Sequence, residues 1–409
     1  MLNAADNRSI DDSVSRTGTI KLGLIANEFY DLSLGRMGGF GVAIRQVADL
    51  FNKNQNLGVE PVFIAGNLSN VSDQTEVVAH GTRLLLLPQD KSKRTQQLKD
   101  EKFDIILTMD YRYNYRPIIE SLPRVPVVIW VHDPRTPYDM KRIESTRIPG
   151  QGDNVPQGLK PVNCTSLSEV VKKSSSLFSK RSILFAQPAA YYEEKVVGTY
   201  GVQPPEITFL PNIIEHIIEE PANIVKSERP SVVFLARLDP YKRPWLFAEL
   251  ATYFPNVDFI FMGKNHFQGL GAWEPDSLPS NVKMMGHIDG EEKIQLLSSA
   301  WVLVNTSIHE GLAISFLEAL MCETPVLSCV DSENVVSRYG IYVGRWDGSG
   351  REAVPRFVEG LQRLLDDKDL RNRLASQGKR WVKETHNRSQ FIKSFQYLCQ
   401  QAGVTAKKS

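Results

Sequence analysis

Two short segments hold the residues that could do chemistry. In NTSIHEGLAISFLEALMCETP, residues 305–325, the carboxylates Glu310 and Glu318 bracket Gly311 and the start of a helix-like run. Upstream, in SVVFLARLDPYKRP, a short apolar strand over 231–236 is followed by Arg237 and, past an Asp-Pro turn, by Lys242. Cations at the end of a strand aim positive charge into the crevice beyond a sheet. Helix N-termini offer unpaired N–H groups to anions, and carboxylates accept hydrogen bonds from vicinal hydroxyls. Together these groups describe a pocket for a phosphorylated, hydroxyl-rich ligand of the nucleotide-sugar kind.

The elements that must position them alternate between strand and helix. After a polar tail over 1–19, expected to be disordered, residues 21–26 read as a first strand. The glycine-rich turn GRMGGFG, 35–41, then leads into an amphipathic helix with Val42, Ile44, Val47 and Leu50 on one face. Further apolar runs at 61–65, 83–87, 103–108, 126–131, 182–186 and 206–210 fit strands of a parallel sheet covered on both faces. This first domain is read as 20–215 and the charged, Pro-containing stretch 216–230 as a linker. A second domain, 231–385, repeats the pattern with strands at 231–236, 257–262, 281–285, 301–305 and 325–328 and helices at 243–252, 291–299 and 313–322. The segment 386–409 ends the chain; its helix, 388–401, carries Phe391, Ile392, Phe395 and Leu398 in one stripe, expected to cover the first domain. Residues 136–166 break the rhythm, being polar and rich in Pro and Gly. They read as a surface insertion, with contact to substrate as the alternative.

A length of 409 residues exceeds what one core usually holds and suits two domains. With 48 Lys and Arg against 47 Asp and Glu, the formal charge of +1 supplies no global field for a nucleic-acid polymer, which is excluded as a partner. Cys164, Cys322, Cys329 and Cys399 form no Cys-x-x-Cys pair and read as reduced buried thiols. The first twenty residues hold no apolar signal core and no run of 18 apolar residues occurs, so a cytoplasmic protein is expected. Peripheral contact with the inner face of a membrane and self-association as a homodimer are both compatible with this composition. Lys172, Lys173, Lys180 and Arg181 form a modest basic patch, read as a solvated helix face.

The strings themselves resemble a known family. ARLDPYKRP is similar to the GRL-D-x-x-K-G segment, and EGLAISFLEALMCETPVLS to the E-G-F-G-L-P-x-L-E-A-M-A-x-G-x-P-V-I segment, of the retaining glycosyltransferases of family 4. The glycine turn, the HDP at 132–134 and the FLPNII at 209–214 fall where that family has corresponding signatures. The resemblance implies the α/β GT-B fold: two Rossmann-like domains facing each other across a cleft, with the C-terminal helix packing back on the first domain. It assigns the donor diphosphate to Arg237 and Lys242, the donor sugar side to Glu310 and the ribose hydroxyls to Glu318. His132 would contact a hydroxyl of the transferred sugar, with Asp133 a second sugar or acceptor contact. Gly38 and Gly39 would let the backbone approach the diphosphate or the acceptor. Gly263 and His287 would lie near the nucleobase and ribose, and the backbone of Gly311, Leu312, Ala313 and Ile314 near phosphate or sugar. Ala313, Ser315 and Leu312 depart from the family's glycine, proline and phenylalanine, which leaves the donor sugar open.

The implied reaction moves a glycosyl unit, with retention, from a nucleoside diphosphate sugar to an acceptor hydroxyl in polysaccharide, glycolipid or other glycoconjugate synthesis. No cofactor and no metal are expected, because cations and helix-end amides can balance the leaving diphosphate. The acceptor would be a sugar, an oligosaccharide or a lipid-linked acceptor, with a lipid itself among the candidates. A disaccharide phosphorylase, a nucleotide-sugar epimerase and a catalytically silent sugar-nucleotide binder share the architecture and stand as alternatives.

Overall fold

The computed structural model describes residues 18–28, 38–65, 76–159, 182–189, 193–200, 207–214 and 225–405. Residues 1–17 of the expected disordered tail, most of the 216–230 linker, the end of the 136–166 segment, Cys164 and the basic patch lie outside them.

Two sheets organise the chain. The first has eight strands: β1 (Ile20–Ala26), β2 (Val59–Ala65), β3 (Glu76–Ala79), β4 (Thr82–Leu85), β5 (Ile105–Met109), β6 (Val127–Trp130), β7 (Ile183–Gln187) and β8 (Ile207–Phe209), in spatial order β3-β4-β2-β1-β5-β6-β7-β8. Every pairing is parallel except β3 with β4. The strand sequences explain this: β5 (IILTM) and β6 (VVIW) are buried at every residue, as helix-covered parallel strands must be. The second sheet has six parallel strands, β9 (Ser231–Leu235), β10 (Asp258–Met262), β11 (Val282–Met284), β12 (Val302–Asn305), β13 (Val326–Ser328) and β14 (Gly340–Tyr342), in order β11-β10-β9-β12-β13-β14. In each sheet the chain builds outward on one side and then returns to the other. The reversals lie between β1 and β5 and between β9 and β12, and such switch points open the crevices where ligands bind.

The predicted strands are all present, shifted at their ends by one or two residues. Two were missed. β3 alternates exposed and half-buried residues at a sheet edge, with Val78 exposed, so it has no buried apolar run to read. β14 is three residues long and pairs with β13 only because Gly340 lacks a Cβ, which would sit 1.9 Å from the Val326 carbonyl oxygen.

The terminal helix Arg388–Gln401 returns to the first domain as its apolar stripe implied. Phe391 packs against Phe51 and Trp130, and Phe395 lies 5.2 Å from Phe51 between ring centroids. His386, just before this helix, ties the crossing: its carbonyl accepts from Ile214 N–H and its Nδ1 from Asn212 N–H.

The reading of 136–166 as a surface insertion is corrected for its described part. Thr136 and Asp139 form a reciprocal capping box that starts the helix Pro137–Glu144. Residues beyond this helix clasp the second domain. Gln151 donates to the Ala272 carbonyl at 2.7 Å and accepts from Gly271 N–H at 2.9 Å, and Gln157 N–H donates to Gly271 O. From the helix itself, Arg142 pairs with Asp347 at 2.6 Å. Ile148 is buried within the second domain's core. Polar composition marked this stretch as a loop, but its side-chain amides are spent on a distant backbone.

Candidate active site

The cleft lies where the two switch points face each other. Arg237 follows β9 and Lys242 ends the short turn Pro240–Lys242. Glu310 follows β12, and the helix Ile314–Met321 starts beyond it with Ala313 as its N-cap. From the first domain come Glu28 after β1, the start of the helix Gly39–Lys53, Arg112 after β5 and His132 after β6. A cavity of about 240 Å³ runs between them. Arg237, Lys242, Glu310, Glu318, His132, Asp133, Gly38, Gly39, Gly263, His287, Gly311, Leu312, Ala313 and Ile314 all line it. The structure thus gathers the residues that the resemblance assigned to donor and acceptor into one place.

The second-domain wall is a network of paired charges. Lys242 Nζ donates to both Glu310 oxygens at 2.7 and 2.8 Å, and Glu310 Oε1 also accepts from Asn305 at 3.1 Å and Ser307 at 2.6 Å. Burial works against the charge on Glu310, yet Lys242 and these donors hold its carboxyl below the usual range. The Lys242 ammonium, also buried, is in turn raised by Glu310. Arg237 donates to Tyr241 Oη at 2.8 Å and pairs with Asp239 at 3.2 Å and, across the cleft, with Glu28 at 3.4 Å. Deeper along the helix, Glu318 is buried against Lys293 at 2.8 Å.

Beneath this wall lies a residue that sequence reasoning missed. Arg243 is fully buried, with φ at 51° in the left-handed region. Its guanidinium donates to the carbonyls of Thr306, Ser307 and Trp346, and to Cys329 Sγ. Thr306 Oγ1 answers by donating to the Lys242 and Arg243 carbonyls. The loops after β9 and β12 are thereby locked together, which fixes Lys242 relative to Glu310. The sequence signal was the basic pair KR before Pro244, which does not reveal which cation turns inward.

On the first-domain wall, His132 is buried, with its ring edge-on to Trp130 at 4.3 Å and Phe40 at 5.9 Å, and Nε2 makes no hydrogen bond among the described residues. Burial lowers its pKa to about 3, so the imidazole is neutral at pH 7. Asp110, also missed, holds the turn that presents it. With φ at 53°, Asp110 aims Oδ1 at the backbone N–H of His132, 2.7 Å, and of Asp133, 3.3 Å. Burial, together with the neighbouring Asp133 charge, raises Asp110 to about 6. Asp133 has both oxygens engaged: Oδ1 accepts from His309 at 2.8 Å, and Oδ2 from Arg135 at 2.9 and 2.6 Å. Despite burial, Arg135 and His309 keep Asp133 well below the ordinary carboxylate range. His309 belongs to the second domain, so this pair also crosses the cleft.

Two of the glycines serve the protein itself. A Cβ on Gly263 would fall 1.8 Å from the Ala236 carbonyl oxygen, so the residue lets β10 pass the end of β9 just before Arg237. A Cβ on Gly38 would lie 2.6 Å from Glu28 Oε2, so glycine there leaves room for that carboxylate. Among the described residues no group of three or more His, Cys, Asp or Glu is placed to hold a metal ion, and no helix is long and apolar enough to cross a membrane.

Two αβ domains of this topology, meeting at a cleft between their switch points, define the GT-B glycosyltransferase fold. The solved structures agree. A sucrose-phosphate synthase from Thermosynechococcus elongatus superposes with a TM-score of 0.67 at 14% identity, covering 93% of this chain and 98% of that one. Anabaena HepE in complex with UDP-glucose gives 0.65 at 14% identity over 93% of this chain and 100% of that one. Residues 217–381, which include the second domain, match the model for glycosyl transferases group 1. In sequence it is 27% identical over 141 residues to one subunit of the phosphatidylinositol N-acetylglucosaminyltransferase of Arabidopsis thaliana. That alignment covers 32% of this chain and 31% of the relative. A glycosyltransferase 1 domain-containing protein of Xenopus tropicalis is 28% identical over 106 residues, 26% of this chain and 30% of its own length. The chain thus spans about a third of the length of these curated relatives.

Proposed function

We propose that this protein is a metal-independent retaining glycosyltransferase that moves a sugar from a nucleoside diphosphate sugar to an acceptor hydroxyl. The observation that carries the reading is the meeting, in one cleft, of the Arg237 and Lys242 cations, the Glu310 and Glu318 carboxylates, the start of the helix Ile314–Met321 and the neutral His132. Arg237 and Lys242 hold the diphosphate and balance its charge as it departs. Main-chain amides from Gly311 to Ile314 add donors to the same anion. Glu318 accepts from the ribose, Glu310 faces the donor sugar, and the uncharged His132 accepts or donates one hydrogen bond to a sugar hydroxyl. Gly263 and His287 line the nucleobase side.

The bond between the anomeric carbon and the β-phosphate oxygen breaks while the acceptor oxygen bonds to the same face of that carbon. The acceptor proton passes to a departing phosphate oxygen. Closure of the cleft excludes water, which would otherwise compete as acceptor. The UDP-glucose held by HepE makes UDP-sugars the first donors to test. The buried thiols of Cys322 and Cys329 support a reducing, cytoplasmic setting.

The test is calorimetric titration with nucleoside diphosphates, followed by donor consumption with a panel of acceptors. Tight binding of one diphosphate and acceptor-dependent release of it from its sugar conjugate is the expected result. Consumption that requires inorganic phosphate, or isomerisation of the donor alone, would replace this reading by a phosphorylase or an epimerase.

A further inference from the structure

Resting on that reading, the first-domain wall of the cleft holds a cation without an assignment. Arg112 lies just beyond β5, at the first sheet's switch point, and lines the cavity from the first-domain wall. Its Nε is buried without a hydrogen-bond partner, and its guanidinium makes no ion pair among the described residues; it stands over the Phe40 ring, 5.6 Å from the guanidinium carbon to the centroid. The two carboxylates within its electrostatic reach are committed elsewhere. Asp110 caps the backbone N–H groups of His132 and Asp133, and Asp133 is shared between Arg135 and His309. On the opposite wall Arg237, Lys242 and Lys293 each have a carboxylate in contact.

A guanidinium whose Nε is buried without a partner is costly to leave so, and its planar fork matches a phosphate or carboxylate through two parallel hydrogen bonds. The donor diphosphate is already provided for by Arg237 and Lys242 across the cleft. We propose that Arg112 binds an oxyanion on the acceptor, so that the protein glycosylates an anionic acceptor: a phosphorylated sugar or the headgroup of an anionic phospholipid. Arg135, within electrostatic reach of Arg112 and already paired to Asp133, raises the local potential without competing for the same ligand.

The experiment compares wild type, Arg112→Gln and Arg112→Lys. Binding of a hexose 6-phosphate, a hexuronate, the neutral hexose and phosphatidylcholine vesicles with or without phosphatidylinositol is measured by ligand-observed NMR and flotation, with and without nucleoside diphosphate. Expected is binding of one anionic probe over its neutral counterpart, weakened roughly 10- to 100-fold in Arg112→Gln and partly restored in Arg112→Lys, as loss of a charged hydrogen bond implies. Sugar phosphate against vesicle separates a soluble acceptor from a lipid one. Equal binding of neutral and anionic probes, or an Arg112→Gln protein that binds them as wild type does, overturns the proposal. Because the probes are tested without donor, Arg112-dependent binding in a protein that consumes no nucleotide sugar would defeat the transferase reading and leave the anion site standing.

Discussion

The two walls of the cleft are built on opposite plans. On the second-domain wall the buried charges have met their counterparts: Lys242 with Glu310, Lys293 with Glu318, Arg237 with Asp239. On the first-domain wall two cavity-lining groups are left open, with His132 Nε2 and Arg112 Nε lacking partners among the described residues. A network that is satisfied before ligand arrives needs little reorganisation when charge develops, which is how electrostatic stabilisation of a leaving group works best. Open donors, by contrast, are completed by the ligand, and they decide which ligand is accepted. On the proposed reading, the paired wall takes the donor diphosphate and the open wall takes the sugar hydroxyls and the acceptor.

The sharpest way to break this contrast is to cut the paired wall. Lys242→Ala and Arg237→Ala should each lower kcat by about 10³-fold or more while circular dichroism shows a folded protein. Near-normal turnover in both would leave the donor wall without its phosphate clamp. Next in size is His132→Ala, expected to reduce kcat/KM by about 10- to 100-fold with nucleoside diphosphate affinity unchanged in calorimetry, since the residue belongs to the other wall.

Glu318→Gln separates pairing from binding. It should weaken nucleotide affinity by about tenfold and also cost about 2 kcal/mol in urea unfolding, because buried Lys293 loses its nearer carboxylate and keeps only Asp289 at 3.4 Å. Replacing both, Lys293→Met with Glu318→Leu, should restore much of the stability and none of the affinity; if affinity returns too, Glu318 has no role at the ribose.

A smaller effect reads the open wall through pH. His132 and His386 are buried with pKa values lowered to about 3, so the unfolded chain takes up protons below about pH 6.5 that the fold refuses, and stability falls as pH drops. Asp110, raised to about 6, acts the other way: the fold binds its proton first and gains stability as pH falls from about 6 towards 4. Urea titrations between pH 7 and 4.5 should therefore show a shallower acid loss in His132→Gln than in wild type, and an identical slope would contradict a neutral buried His132. The smallest change is expected at the clasp, where Arg142→Ala should cost about 1 kcal/mol in the same assay, because Asp347 is half exposed.

Legibility followed the same division. Arg237, Lys242, Glu310 and Glu318 could be read because each stands in a local string, a strand end or helix start, whose geometry follows from neighbours in sequence. Asp110 could not, because its work depends on a left-handed φ that no neighbouring residue announces. Arg243 was hidden for a related reason, since only the fold decides that it turns inward to three carbonyls while Lys242 turns to the cleft. The clasp over 136–159 was misread because Gln151 and Gln157 find partners more than a hundred residues away.

By itself the sequence determined the alternation of strands and helices, the two sheets, the return of the last helix and the positions of the charged strings. Apolar periodicity and strand-end placement are local properties, and they survive without knowledge of what lies opposite. Tertiary structure alone decided which charges are paired and which are open. Pairing depends on distances of a few ångströms between segments that the fold brings together, as with Lys242 and Glu310, and no spacing along the chain encodes them.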